Sequence, residues 1–119
     1  MSFRATLTID EREFDLNYCN VYKCRRYDRR GRPSSAYGWA IICAMDAIDD
    51  TIFTDWMINS SMQKDGKITF YKDDQESKLK EISFSRAYCC YLLDKFTSDI
   101  SYMDTWIEIM GSELNGVSN

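Results

Sequence analysis

The stretch FRATLTIDEREFDL, residues 3–16, decides the fold class. Apolar and polar residues alternate without a break over residues 3–9, which is the period of a β-strand with one buried face. The next four residues, 10–13, are all charged and predict a turn. Alternation resumes at Phe14 and continues to Cys24, so we expect a long second strand that pairs with the first as a hairpin.

Apolar patterns further along predict one helix and four more strands. In residues 39–47, WAIICAMDA, the odd-numbered and the even-numbered positions are both mostly apolar. Because these two sets face opposite sides of a strand, the pattern predicts a strand covered by the core on one face and by the helix or a neighbouring molecule on the other. Residues 49–51 supply N-cap chemistry for a helix that we expect to end near residues 64–66. Further strands are expected at residues 67–72, at residues 78–93 with a bulge near 85–87, and at residues 103–111.

A basic segment precedes residue 39. Residues 22–32, YKCRRYDRRGR, hold six cations and one anion, so this segment carries +5 while the whole chain carries −4. A molecule with a positive side and a negative side can attract copies of itself. We expect this segment and the following GRPSSAYG, residues 31–38, to form a loop in which Gly31 and Pro33 shape the turn.

These elements together predict a mainly β protein. We expect a small antiparallel β-barrel or sandwich of about six strands with one flanking α-helix. The length of 119 residues favours a single domain over residues 1–111, with residues 112–119 as a polar C-terminal tail.

The sequence offers no recognisable catalytic constellation. Histidine is absent, which removes Ser-His and Cys-His arrangements, and no phosphate-binding or nucleophile-elbow motif occurs. The cysteines have no zinc-type spacing and are expected to be small buried hydrophobes; they are Cys19, Cys24, Cys43, Cys89 and Cys90. We therefore expect no enzymatic activity, no cofactor and no metal site.

Targeting features are also missing from the sequence. The start, MSFRATLTID, has no apolar run, and the longest uncharged apolar run, residues 36–45, falls short of the ~20 residues that span a membrane. We expect a cytoplasmic protein without membrane insertion, and any export must use a route that reads no N-terminal signal.

Four segments occur in an order that resembles one family. They are SFRATLTIDEREFDL (residues 2–16), GRPSSAYG (31–38), DDTIFTDWM (49–57) and GKITFYKDD (66–74). This order resembles the tube protein of type VI secretion systems, Hcp or TssD, in its short form. The resemblance covers residues 2–84 and is weaker through the last strand.

The resemblance implies a small β-barrel with one helix, assembled into hexameric rings that stack into a tube. It implies as partners a second copy of the chain, a contractile sheath, a spike protein and small effectors in the lumen, with export through the type VI apparatus. It also implies that the loop around residues 29–39 contacts neighbouring subunits. The expected interface residues are Arg29, Arg30, Arg32, Pro33, Ser34, Ser35, Tyr37 and Trp39.

Two other interpretations stay open. A monomeric β-barrel module would use the cationic segment, with Tyr27 and Tyr37, to bind an acidic protein or single-stranded nucleic acid. The acidic remainder of the chain disfavours nucleic acid, because the positive footprint is confined to one segment. A divergent paralogue would instead act as a cargo adaptor without building a tube, since Trp39 stands where the family often has a glycine.

Overall fold

The computed structural model describes residues 3–27, 29–72, 78–100, 102–111 and 114–118, and the side chains of all of these except 3, 24–27, 33–37, 100 and 114–118. The described ranges hold eight strands, one α-helix and one short 3₁₀ helix. The strands are β1 Phe3–Ile9, β2 Arg12–Leu16, β3 Tyr18–Tyr27, β4 Pro33–Asp46, β5 Lys64–Lys72, β6 Lys78–Thr97, β7 Tyr102–Gly111 and β8 Leu114–Ser118. The helix α1 is Ile52–Ile58, and the 3₁₀ helix is Ser98–Ile100.

Seven strands form one antiparallel sheet in the order β2-β1-β5-β6-β7-β4-β3, and β8 pairs with β6 beside this path. The mainly β architecture with a single helix is therefore confirmed. β2 and β3 are the two edge strands of this order. They do not pair with each other, so the sheet is not closed within the described residues.

The long strand β6 joins the two halves of the sheet. Its first half pairs with β5 as far as Ala87, and its second half pairs with β7 from Tyr88 onward. Between the halves the register shifts, and Arg86 has a positive φ of 52°. The predicted bulge at residues 85–87 is confirmed, and it lets one strand serve both halves.

The core lies between the inward faces of the two halves. Its largest buried side chains include Leu7, Ile41, Ile68, Phe84 and Ile107, and each contributes roughly 1.5–3 kcal/mol when removed from water. The period-2 alternation of β1 is the sequence cause, because it turns every second residue of the strand toward this core.

The helix α1 closes part of the core. Phe53 contacts the ring of Phe14 at a centroid distance of 5.1 Å, and the indole nitrogen of Trp56 donates to the carbonyl of Ala87 at 3.2 Å. At its start, the carboxylate of Asp50 accepts the backbone N–H of Ile52 at 2.9 Å, which satisfies one free donor of the first turn.

The helix is shorter than the sequence predicts. It ends at Ile58, and Asn59 is extended with ψ 103°. The side-chain oxygen of Asn59 accepts the backbone N–H of Ser61 at 3.1 Å, a local bond that competes with the helix ladder. The expected helix end at residues 64–66 is therefore wrong, and these residues begin β5.

The expected long second strand is also wrong, because it breaks at Asn17. There the backbone N–H of Asn17 donates to the carbonyl of Ala44 at 2.7 Å, and the chain passes from β2 at one end of the sheet to β3 at the other. After the break, Tyr18 points outward and Cys19 packs against the core. One residue outside the ladder is enough to exchange the two faces, since side chains alternate with a period of two.

The predicted loop before residue 39 is instead a long β-hairpin. β3 and β4 stay paired as far as Tyr27 and Pro33, and Gly31 in the turn has a φ of 78°. Charged residues suggested a loop, but exposed positions of an antiparallel strand also accommodate charged side chains, such as that of Lys23 on β3. The expected role of Gly31 in the turn fits this positive φ.

The C-terminal segment also pairs with the sheet. Residues 112–119 were expected to form a polar tail, but β8 within them pairs with β6 through partners such as Val117 and Ile82. The expected charged turn at residues 73–77 lies outside the described residues.

Candidate functional site: an exposed hairpin turn and an exposed sheet face

Three of the expected interface residues lie together in the turn of the β3–β4 hairpin. Arg29, Arg30 and Arg32 are all exposed there, within four residues of one another. For Pro33, Ser34, Ser35 and Tyr37, the structure places the backbone in β4, and their side chains lie outside the described ones. The hairpin therefore presents a compact positive charge at its end.

Trp39 does not belong to this surface. Its side chain is only 2% exposed, and its ring lies 5.4 Å from that of Phe84 in the core. Trp39 lies on the same face of β4 as Ile41 and Cys43, which are also buried, so its indole points inward. The expectation that the Trp39 side chain lies at a subunit contact is corrected accordingly.

The indole of Trp39 fits because its partner across the strands is a glycine. Gly111 pairs with Trp39, and a Cβ on Gly111 would come within 2.7 Å of the indole carbon Cζ2. The bulky side chain thus occupies space that the neighbouring strand leaves free, and it does not project toward another molecule.

The outward face of β3, β4, β7 and β6 carries apolar residues that the sequence analysis did not assign. Tyr18, Ala44 and Trp106 lie directly opposite one another on three adjacent strands, and the two aromatic rings are 5.2 Å apart. Ala44 is 1% exposed between them, so in-chain neighbours cover this part of the doubly apolar strand. The helix does not, since its buried residues Phe53 and Trp56 belong to the core.

Much of this outer face nevertheless remains open to water. The large side chains exposed on it are Tyr18, Tyr22, Tyr88, Tyr91, Leu93 and Met110. We call these six residues the outer apolar face. Contiguous exposed apolar surface of this kind marks contact sites for other molecules.

A β-bulge in β6 is the reason that the sequence did not predict this face. In β6, Cys89 pairs with Ile109 and Tyr91 pairs with Glu108, so Cys90 is an extra residue in the strand. The faces exchange at this point, which sends Tyr91 and Leu93 outward and Leu92 inward. The run YCCYLL, residues 88–93, has apolar residues at successive positions, which indicates a strand that is apolar on both faces.

Polar contacts tie the chain break at Asn17 to β4 and β7. The side-chain amide of Asn17 donates to the carboxylate of Asp46 at 2.9 Å, and the phenol of Tyr102 donates to the same oxygen at 3.0 Å. These two donors favour the charged carboxylate and lower the pKa of Asp46. They position the strand ends rather than building a reactive group.

The described cysteines behave mainly as apolar residues. Cys43 and Cys89 are buried and Cys19 is half-buried, and burial raises the pKa of Cys19 and Cys89 to about 11. A thiol with a raised pKa is a poor nucleophile and metal ligand at neutral pH. Cys90 is exposed, and the side chain of Cys24 lies outside the described ones. In the described part of the chain, no three His, Cys, Asp or Glu side chains are grouped to hold a metal ion.

One family model matches nearly the entire chain. It is described as "Hemolysin coregulated protein Hcp (TssD)", and it aligns with residues 1–118. The chain belongs to the Hcp (TssD) family. The resemblance carried by the GRPSSAYG segment and the opening strands is thereby confirmed, and Hcp is a family of structural tube proteins rather than of enzymes.

Solved structures with similar folds include members of the same family. Hcp1 from Flavobacterium johnsoniae matches with a TM-score of 0.75 and 24% identity, covering 93% of this chain and 97% of that one. Hcp1 from Salmonella typhimurium matches with a TM-score of 0.70 and 9% identity, covering 92% and 81%. At these identities the likeness shows the fold alone. A search of curated protein sequences found no match.

A chain from another contractile machine has a similar fold. A chain from the sheath-tube complex of the extracellular contractile injection system PVC matches with a TM-score of 0.69 and 16% identity, covering 97% of this chain and 88% of that one. Hcp-family proteins are secreted through the type VI system. In the described ranges of this chain, no helix has the length and hydropathy needed to cross a bilayer.

Proposed function

We propose that this Hcp-family chain is a structural subunit of the inner tube of a type VI secretion system. It assembles into hexameric rings that stack, that carry small effectors in the lumen and that leave the cell inside a contractile sheath behind a spike. The match of the Hcp family model to residues 1–118 is the observation that carries this proposal.

Two surfaces of the chain support assembly. The outer apolar face exposes four tyrosines, a leucine and a methionine on β3, β6 and β7, and tyrosine and methionine are among the residue types enriched at protein contacts. The hairpin turn carries Arg29, Arg30 and Arg32, whose side chains are exposed to water. We propose that this turn and the β4 residues Pro33 to Tyr37 contact a neighbouring subunit.

The net charge distribution favours a contact between unlike surfaces. Residues 22–32 carry +5, whereas the rest of the chain is acidic. Contacts between two different patches of identical subunits generate closed rings or open stacks, which are the two components of a tube.

Electron microscopy and light scattering of the purified full chain test this function. We expect ring-shaped particles with six-fold symmetry and a solution mass six times that of the chain, because the contacts are heterologous and close on themselves. A protein that stays monomeric at high concentration in both low and physiological salt would contradict the proposal. If that monomer also bound a single-stranded oligonucleotide at low salt, the binding-module interpretation would replace it.

A further inference from the structure

A pocket lies between strand β3, at one edge of the sheet, and the paired strands β5 and β6. Its volume is about 600 Å³, which falls within the roughly 300–1,000 Å³ that is typical of small-molecule sites. The described residues that line it are Val21, Lys23, Phe70, Leu79, Lys80 and Ile82. One chain supplies all of these residues, so the pocket does not depend on assembly into rings.

The apolar walls of this pocket are continuous with the core. Ile82 is buried, and Val21 and Phe70 are half-buried residues that pack against the core cluster. Phe70 and Lys80 are partners across β5 and β6, and Ile68 and Ile82 are partners two positions further along, so both pairs face inward. The pocket is therefore an apolar space that adjoins the core.

A β-bulge in β6 directs Leu79 into the pocket. Phe70 pairs with Lys80 and Tyr71 pairs with Lys78, so Leu79 is an extra residue between the two pairs. Bulges of this kind change the direction of a side chain, and they are common beside binding sites. Leu79 lines the pocket and is still 39% exposed. A large apolar side chain thus faces a space that the described part of the chain does not fill.

Two lysines bring positive charge to the same pocket. Lys23 is the cross-strand partner of the buried Trp39, and Lys80 is the partner of Phe70, so both lysines lie on the inward side of their strands. Both are exposed, and neither forms an ion pair in the described part of the chain. Lysine stems can cover apolar surface while the ammonium groups stay in water. The pocket therefore combines an apolar interior with two ammonium groups that are open to a ligand.

We propose that this pocket binds a fatty acid, with its aliphatic tail between β3 and β6 and its carboxylate at the ammonium groups of Lys23 and Lys80. The aliphatic side chains of Val21, Leu79 and Ile82 match a saturated tail, and each methylene that they remove from water strengthens binding about fourfold. The two lysines match a carboxylate, because hydrogen bonds between charged groups are stronger than neutral ones.

This binding goes beyond the proposed structural role, and neither property requires the other. The pocket lies on the other side of β3 from the outer apolar face, since Tyr22 belongs to that face whereas Val21 and Lys23 line the pocket. A fatty acid in the pocket therefore leaves the outer apolar face free for contact with other subunits.

Titration of the purified full chain with dodecanoate, below its micellar concentration, tests the inference. Calorimetry measures the affinity, and methyl NMR signals of Val21, Leu79 and Ile82 report the place of binding. We expect one dodecanoate per chain, shifts of these methyl signals, and an affinity for decanoate that is about tenfold lower, because its tail is two methylenes shorter. Dodecyltrimethylammonium has the same tail with a cationic head, and it should bind at least about tenfold more weakly than dodecanoate.

Two variants separate the head of the ligand from its tail. Lys23→Met with Lys80→Met keeps the apolar stems and should weaken dodecanoate binding by about tenfold or more. Leu79→Trp fills the pocket and should abolish binding, and the thermal midpoint should stay near that of the wild type because Leu79 is partly exposed. The control is Lys72→Met with Lys95→Met, two exposed lysines that do not line the pocket, and it should bind like the wild type.

Four results would each overturn the inference. They are no saturable binding of dodecanoate, equal binding of the two amphiphiles, equal affinities of the pocket lysine variant and its control, and methyl shifts confined to Leu93 and Met110 on the outer apolar face. Pocket signals that shift with protein concentration but not with dodecanoate would assign the pocket to a contact between copies, which also overturns it. Ring formation is measured separately by electron microscopy, so each of these results leaves the proposed function standing.

Discussion

Trp39 and Gly111 form a pair in which one residue is large because the other is small. A Cβ on Gly111 would lie 2.7 Å from Cζ2 and 3.0 Å from Cε2 of the indole. At such distances the ring or the strand must shift, and the core on that side also holds Phe84. The pair accounts for the fit of a tryptophan at this position of β4.

We expect Gly111→Ala to lower the free energy of unfolding by about 1–3 kcal/mol, the usual cost of overpacking. Gly38→Ala is the matched control, because a Cβ there meets nothing within 4 Å. That change should be neutral or raise the stability by about 0.4–1 kcal/mol, through the lower entropy of the unfolded chain. Urea denaturation measures both variants, and equal effects of the two substitutions would contradict the packing argument.

Asp46 offers a test of the polar cluster at the ends of β4 and β7. Donors from Asn17 and Tyr102 lower its pKa below the ordinary 3.8. A carboxylate with a lowered folded-state pKa stabilises the fold above its unfolded pKa, and this contribution is lost as pH falls through the folded value.

We expect Tyr102→Phe to raise the pKa of Asp46 toward 3.8, because one donor to the carboxylate is lost. The difference in stability between variant and wild type should be largest near neutral pH and should shrink as the pH falls below 3.8. An NMR titration of the Asp46 carboxyl carbon measures the shift, with Tyr91→Phe on the outer apolar face as the control. An unchanged midpoint in Tyr102→Phe would rule out the phenol as a donor.

At the scale of elements, the β1–β2 connection is tighter than its sequence suggests. The four charged residues 10–13 predicted a four-residue turn, but only Asp10 and Glu11 lie outside the strands, and both have positive φ values, 53° and 64°. Two left-handed residues in succession are typical of a type I′ hairpin turn, for which Asn-Gly is the preferred pair. The turn is therefore strained at Glu11 but correct in register.

We expect Glu11→Gly to raise the free energy of unfolding by about 0.5–1 kcal/mol, because glycine adopts a left-handed conformation without a steric cost. Glu13→Gly, two residues later and inside β2, should instead lower it by a similar amount, since glycine weakens a strand interior. Thermal and urea denaturation distinguish the two. A destabilising effect of both substitutions would show that the turn is not strained at Glu11.

Which residues of a strand point inward is also decided at the scale of elements. Asn17 and Cys90 each stand outside the regular ladder, and each exchanges the inward and outward faces of the strand that follows. β1 was predicted correctly because it precedes both residues, whereas Tyr18, Tyr22 and Tyr91 were not placed on the surface.

At the scale of the whole molecule, the outer apolar face is a surface that the described part of the chain leaves open to water. We expect Leu93→Asp to weaken ring formation, because a charge would be buried at the contact between subunits. The stability of the single chain should change by no more than about 0.5 kcal/mol, since Leu93 is 41% exposed. Light scattering and urea denaturation report the two effects separately.

The control for this variant is Phe96→Asp on the same strand. Phe96 is 67% exposed, and it pairs with Met103 on the opposite face of β6 from Leu93. Rings that form normally with Leu93→Asp, or that are lost equally with Phe96→Asp, would remove the outer apolar face from the proposed contact.

The sequence by itself determined the β class, the presence of one helix, and the family. These features follow from the local spacing of apolar residues and from short sequence motifs, which do not depend on tertiary neighbours. Of the candidate site, the sequence identified the cluster of positive charge at Arg29, Arg30 and Arg32.

The tertiary structure alone decided which face each strand turns outward, that Trp39 packs inward on Gly111, and that β8 pairs with β6. It also brought Val21 of β3 and Leu79 of β6 together in one pocket. Strand partners are distant in sequence, and with a period of two a single irregular residue such as Asn17 exchanges the inward and outward faces of the strand that follows.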